Sequence, residues 1–150
     1  MMCDMALDRV AGLPTWLLSR ANARSQTILG DAFAEAGVRG YHYRLLAALA
    51  QYGALSQADL GRRTGIDRKD VAIAVAELDS DQLIARTPDP DDARRKVVSL
   101  TAAGSRRLRA LDQVLDRVQA DVLAPLTPSE QTTLTRLLTK LANNADEAHN

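Results

Sequence analysis

The side chains in this sequence best placed to do chemistry are arginines and lysines grouped where elements start or turn. Arg94-Arg95-Lys96 follow the acids Asp91-Asp92, Arg68-Lys69 stand between Asp67 and Asp70, and Arg62-Arg63 close a short segment that opens at Ser56-Gln57. A guanidinium offers a planar fork of N–H donors with a fixed charge, and lysine a compact cation. Both suit phosphate oxygens and the N7 and O6 acceptors of guanine. Ala72 and Ile73, small and apolar, suit a thymine methyl. The chemistry on offer is recognition of double-stranded DNA rather than bond making. No Ser/His/Asp or Cys/His set and no glycine-rich phosphate loop is evident, and the carboxylate pairs Asp67/Asp70 and Asp91/Asp92 read as caps and loop supports. No enzymatic activity and no cofactor are expected. His42, His149 and Cys3 are too few for a metal cluster.

Composition bounds that reading. A chain of 150 residues, 46% hydrophobic and 25% charged, has the size and make-up of one ordinary globular domain. With 19 basic against 19 acidic side chains the net charge is zero, so DNA binding must rest on local placement of cations rather than on an overall field. Aromatic residues make up 3% of the chain (Trp16, Phe33, Tyr41, Tyr43, Tyr52), too few for a single-strand stacking platform. The single cysteine forbids an intrachain disulfide and no secretory leader is legible, so a reducing cytoplasm is the expected compartment. No apolar stretch approaches the roughly 20 residues that cross a bilayer, and no membrane partner is expected.

The elements that must position these cations follow from apolar spacing and caps. Leu13, Leu17, Ala21, Ile28 and Ala32 recur at helical spacing, predicting a first helix from Pro14 to Ala36. A second spans Tyr41 to Tyr52. Ser56 with Asp59 forms a capping signature for a third helix over Gln57–Arg63, and Asp67 with Asp70 repeats it for a fourth that runs to about Asp81. Leu83–Arg86 and the β-branched Lys96–Leu100 flank the turn-rich Thr87-Pro-Asp-Pro-Asp-Asp, predicting a hairpin whose long exposed tip carries Arg94, Arg95 and Lys96. A fifth helix from about Thr101 ends near Pro125. Thr127-Pro128-Ser129-Glu130 caps a sixth bearing Leu134, Leu137, Leu138 and Leu141, and the polar tail from Asn143 to Asn150 is expected to fray.

Two capped helices joined by a tight glycine turn and followed by a hairpin have the shape of a winged helix-turn-helix. The first turn of the fourth helix, Asp67-Arg68-Lys69-Asp70, would then enter the major groove, with Ser56, Gln57, Arg62 and Arg63 toward the flanking backbone and the hairpin arginines toward an adjacent minor groove. Helices one, five and six carry more leucine than a lobe between Gly40 and Gly104 can cover, so a second copy of the chain is expected to cover them.

The run Asp92-Ala-Arg94-Arg-Lys-Val-Val-Ser-Leu100-Thr101-Ala-Ala-Gly104 resembles the wing signature of the MarR family of bacterial transcriptional regulators. Leu60-Gly-Arg-Arg-Thr-Gly-Ile-Asp-Arg-Lys-Asp-Val, Glu77-Leu78 and Leu83-Ile84-Ala-Arg86 before Pro88-Asp-Pro are similar to that family at matching spacing. The resemblance implies a mostly α fold with a small β wing (α+β) and an intertwined helical homodimer. Residues 1–36 and 102–150 would form the dimerisation region and 37–101 the winged helix-turn-helix lobe. It implies that Arg94 enters the minor groove, that Asp92 supports the wing, and that the dimer occupies a pseudo-palindromic operator, as a repressor released by a small anionic aromatic ligand. For such a ligand the chain offers Trp16 and Arg20 on helix one with Tyr41, His42, Tyr43 and Arg44 at the start of helix two, residues that packing alone would also explain. The urate-responsive branch of the family carries an acid where this chain has Arg44. Cys3 stands near the end at which the peroxide-sensing branch oxidises a cysteine, but it has no evident basic neighbour to form a thiolate. The competing reading is a dimeric adaptor that grips a protein with the winged lobe and answers to no ligand.

Overall fold

The computed structural model describes residues 7–147, with side chains to residue 144. Cys3 and His149, and with them the question of a redox cysteine, lie outside the described residues. The order is α1 (Pro14–Glu35), α2 (His42–Tyr52), α3 (Gln57–Thr64), α4 (Arg68–Ser80), β1 (Ile84–Pro88), β2 (Lys96–Leu100), α5 (Ala102–Leu123) and α6 (Pro128–Glu147). It is the expected mostly α chain with one small antiparallel hairpin.

Two compact units divide the chain, Leu29–Asp116 and the remainder. In the first, α2 turns Leu45, Leu46 and Leu49 inward, α4 turns Val71, Ala74, Val75 and Leu78 inward, and Leu60, Ile66, Ile84, Val98, Leu108 and Leu111 complete one core. The spacing of three and four along α2 and α4 is what places those side chains on a single face. Capping sets the joints. Ser56 accepts a bond from the Asp59 amide at 3.1 Å to open α3, and Gly65 closes it in the left-handed region at φ 68°, where a side chain would be strained. α4 ends on Gln82, also left-handed at φ 60°, a place where glycine is usual.

The hairpin pairs Ile84 with Leu100 through Pro88 with Lys96, and Leu55, just ahead of α3, adds two backbone bonds to Val98 of 3.0 and 2.7 Å. Thr101 then starts α5, its hydroxyl accepting from the Gly104 amide (3.0 Å) and donating to the Gln82 carbonyl (2.8 Å). A Cβ on Gly104 would lie 1.9 Å from the Leu83 carbonyl oxygen, so only glycine lets the backbone approach this closely. Arg107 donates to the Ala36 carbonyl at 2.5 Å, and the Tyr43 hydroxyl donates to Asp112 at 2.7 Å. Burial, reinforced by the Asp112 carboxylate, pushes the Tyr43 phenol up to about 12.

The second unit holds the described residues up to Ile28 and from Arg117 onward. Arg24 of α1 donates to the Val122 and Asp121 carbonyls at 2.7 and 3.1 Å, satisfying acceptors that the end of α5 leaves open. Thr127 and Glu130 exchange backbone bonds of 3.2 and 2.9 Å in the expected capping box, and those bonds hold the Glu130 carboxyl below its usual range. Leu13, Leu17 and Leu18 on and beside α1 and Leu137, Leu138 and Leu141 on α6 remain 42–59% exposed.

Two local expectations are corrected. Helix α6 continues through Asn143 to Glu147 instead of fraying at Asn143, because Ala142–Glu147 contains no glycine or proline and nothing interrupts the backbone ladder. Strand β1 extends to Pro88, two residues into the stretch expected as turn, while Lys96 opens β2 over the expected Lys96–Leu100 and stands beside the tip. Proline is tolerated there because it sits at the last rung of the ladder.

Candidate nucleic-acid interface

The buried stripe of α4 determines what the helix shows outward. With Val71, Ala74, Val75 and Leu78 inside, a 3.6-residue period leaves Lys69, Ala72 and Ile73 outside, while Arg68 stands at the edge of the buried stripe in the first turn; all four are exposed, Ile73 by 50%. An isoleucine half open to water on the helix next to two cations is the arrangement a groove reader needs. Asp67 caps this end by accepting from the Lys69 amide at 3.3 Å, which leaves both cationic side chains free of the cap. The reciprocal half of the expected box is not formed, and Asp70 instead lines a cleft described below.

On α3, Ser56 and Gln57 are half-buried and Arg62 and Arg63 are exposed in the last turn. The two arginines differ in their partners. Arg62 is ion-paired to Asp59, whose carboxyl the Arg62 guanidinium and the Ser56 hydroxyl hold below the usual range. Arg63 lies over the ring of Tyr52, 4.5 Å from its centroid. Tyr52 was not among the residues singled out from the sequence, and only its place on the neighbouring helix reveals it.

At the tip of the hairpin, Asp92 organises the turn. Its carboxylate accepts from the Arg94 amide at 3.1 Å and Nε at 3.4 Å, and its carbonyl accepts from the Arg95 amide at 2.9 Å. The Asp89 amide donates to the Arg95 carbonyl at 2.7 Å, and Asp89 in turn accepts from the Asp91 amide at 2.9 Å. These acids therefore spend their oxygens on loop amides, as Asx-type turns do, and the Arg94 side chain stands 93% exposed. Leu55–Val98 pairing joins the middle of β2 to the residue before the start of α3.

The six residues read as a ligand set are divided. Trp16 and Arg20 belong to one unit, the other four to Leu29–Asp116. There Arg44 lies 5.7 Å from the Tyr41 ring centroid, Tyr43 packs on Phe33 (6.1 Å between centroids) and bonds Asp112, and buried His42 meets Glu77 at 2.6 Å. His42 and Glu77, with Arg39, line two adjoining clefts of about 540 and 210 Å³. Ser80 and Asp81 flank the larger, Tyr41, Asp70 and Ile73 the smaller. The His42–Glu77 bond spans 35 residues and ties the start of α2 to α4. Sequence spacing carries no signal for it.

Comparison with known proteins decides the family. Residues 36–95 match the MarR family profile. The fold superposes on the PcaV transcriptional regulator of Streptomyces coelicolor with a TM-score of 0.74 and 30% identity, covering 89% of this chain and 98% of PcaV. The chain belongs to the MarR family. It is also similar to the transcriptional repressor NicR of Pseudomonas putida, 26% identical over 132 residues that span 88% of this chain and 84% of NicR. The third likeness is to Bordetella bronchiseptica BpsR, solved in a study of how 6-hydroxynicotinic acid regulates its DNA binding, at 26% identity and a TM-score of 0.73 over 87% and 94% of the two chains. The chain is thus a MarR-family winged-helix regulator of transcription that binds DNA, and α3, α4 and the β1–β2 hairpin are its winged helix-turn-helix. Its relatives are regulators, not enzymes.

Proposed function

We propose that two copies of this MarR-family chain occupy a pseudo-palindromic operator and repress transcription until a small aromatic acid releases them. The observation that carries the proposal is the placement of outward-facing Arg68 and Lys69 at the capped start of α4 together with Arg94 held out from an Asp92-organised tip, all on one compact unit. Residues 37–101 act as the DNA-binding lobe, in which Arg68 and Lys69 reach base edges and phosphates, Ala72 and Ile73 meet apolar base edges, Ser56, Gln57 and the arginines of α3 flank the backbone, and Arg94 and Arg95 meet the minor groove, with Lys96 behind them on the strand. Residues 1–36 and 102–150 form the dimer. The exposed leucines of α1 and α6 support this, since a water-facing row of that kind is buried in obligate interfaces. Half-sites would lie about one helical turn apart. No covalent chemistry is assigned, and the working compartment is the cytoplasm.

NicR is by name a repressor, BpsR responds to 6-hydroxynicotinic acid, and PcaV has been crystallised with its natural ligand. In this chain the smaller cleft beside α4 offers Arg39 as a cation and Tyr41 and His42 as rings to such an acid. The test is an anisotropy titration of genomic promoter fragments across salt, repeated with 6-hydroxynicotinate and benzoates. Binding that falls steeply as salt rises and is reversed by one of these acids is expected. Salt-insensitive or absent association would sink the DNA reading. Affinity indifferent to all such acids would sink the proposed effector class.

A further inference from the structure

Arg62 and Arg63 are neighbours in sequence and equally basic, yet their surroundings give them different work. Arg62 is ion-paired to Asp59 at the surface, so part of its N–H fork is occupied. Arg63 lies with its guanidinium carbon 4.5 Å from the Tyr52 ring centroid. A ring face holds a guanidinium through electrostatic attraction to its π cloud and leaves the in-plane N–H donors and the full charge available. Among the described residues no carboxylate or carbonyl accepts from Arg63. Tyr52 is itself 44% exposed at the end of α2, so the stacked pair sits at the surface.

We infer that Arg63, stacked over Tyr52, is the main phosphate-gripping arginine of α3, that Tyr52 is its positioning residue, and that Arg62, paired to Asp59, makes the weaker phosphate contact. The inference rests on the DNA-binding reading above and deepens it. In a helix-turn-helix the first helix crosses the DNA backbone, and on the DNA-binding reading α3 would meet it with its last turn. An arginine already stacked pays less conformational entropy on meeting a phosphate than a free one, and an arginine paired to a carboxylate must give up part of that pair to dock.

Phosphate contacts are indifferent to sequence, so a short duplex of arbitrary sequence is a sufficient probe, titrated by anisotropy at several salt concentrations against the full-length protein. Arg63→Ala should reduce the slope of log affinity against log salt by about 0.9 per bound copy, whereas Arg62→Ala should reduce it by less than half as much. Arg63→Lys should keep the slope but bind more weakly, because a lysine ammonium lacks the planar face that stacks. Tyr52→Ala should weaken binding roughly 2–5-fold with the slope kept, the range an exposed cation–π contact supplies, and Tyr52→Phe should restore wild-type affinity. Equal slopes for Arg63→Ala and wild type, an Arg62→Ala slope loss as large as that of Arg63→Ala, or Tyr52→Phe as weak as Tyr52→Ala would each overturn the assignment. Thermal melts identify any loss that merely reflects unfolding, and the two conservative variants then carry the decision. A wild-type protein showing no salt-dependent association would instead remove the DNA-binding reading itself, a result distinct from any of the variant outcomes.

Discussion

The two units of this chain bury their apolar residues very differently. Leu29–Asp116 closes a core in which Leu45, Leu46 and Leu60 have no exposed surface, whereas among the described residues of the other unit Val118 is the sole buried apolar side chain and six leucines on or beside α1 and α6 face water. The hydrophobic effect scales with area removed from water, at about 25 cal/mol per Å², so the first unit is finished as a single chain and the second is not. The unit that carries the basic residues is thus also the one able to hold them rigid by itself, and the terminal helices await a covering surface, which the proposed second copy would supply.

That contrast can be broken at its strongest point by Leu46→Ala, which empties a fully buried site and should cost about 2–5 kcal/mol in denaturant melts, while Leu141→Ala should leave the melt of a dilute, dissociated sample nearly unchanged. Equal costs would show that the two units do not differ as described. Leu137→Asp should next weaken self-association roughly a hundredfold by placing an unpaired charge on the leucine stripe, measured by sedimentation, and a fully dimeric variant would move the dimer surface elsewhere. Arg94→Ala should weaken operator binding about tenfold without altering the melt or the oligomer, because its side chain is 93% exposed. Thr127→Ala should cost about 1 kcal/mol by removing an acceptor from the first turn of α6, read from thermal melts.

The smallest effect concerns protons. Tyr43 has its phenol raised above the free value, so its hydrogen bond to Asp112 contributes stability that is complete below pH 10 and is lost as pH rises toward about 12. Phenolate absorbance in a chain with Tyr41→Phe and Tyr52→Phe should show this late titration. Glu130 and Asp59 run the other way: their carboxyls are held low, so their caps contribute above the ordinary carboxylate range and are lost as pH falls through the depressed values.

Much of the architecture was legible because local chemistry announced it. Ser56 with Asp59 and Thr127 with Glu130 marked helix starts, and the spacing of Val71, Val75 and Leu78 marked the buried face of α4. Local rules misjudged Asn143, where polar composition suggested fraying but no breaker was present, and Thr87-Pro88, which turn composition placed in the loop and strand pairing placed on the ladder. Long-range partners left no local trace. His42–Glu77, Arg107–Ala36, Arg24 with the end of α5, and Arg63 over Tyr52 each join residues on different elements, so no periodicity encodes them.

Leu55 exchanges two backbone bonds with Val98, so the hairpin is in effect clamped at the middle of β2 to the residue before the Ser56 cap. A push delivered at the far end by a sugar-phosphate rim would not be dissipated in a floppy arm. It would travel along the ladder as through a short beam and be felt at the hinge where α3 begins, making hairpin and helix pair a single mechanical piece.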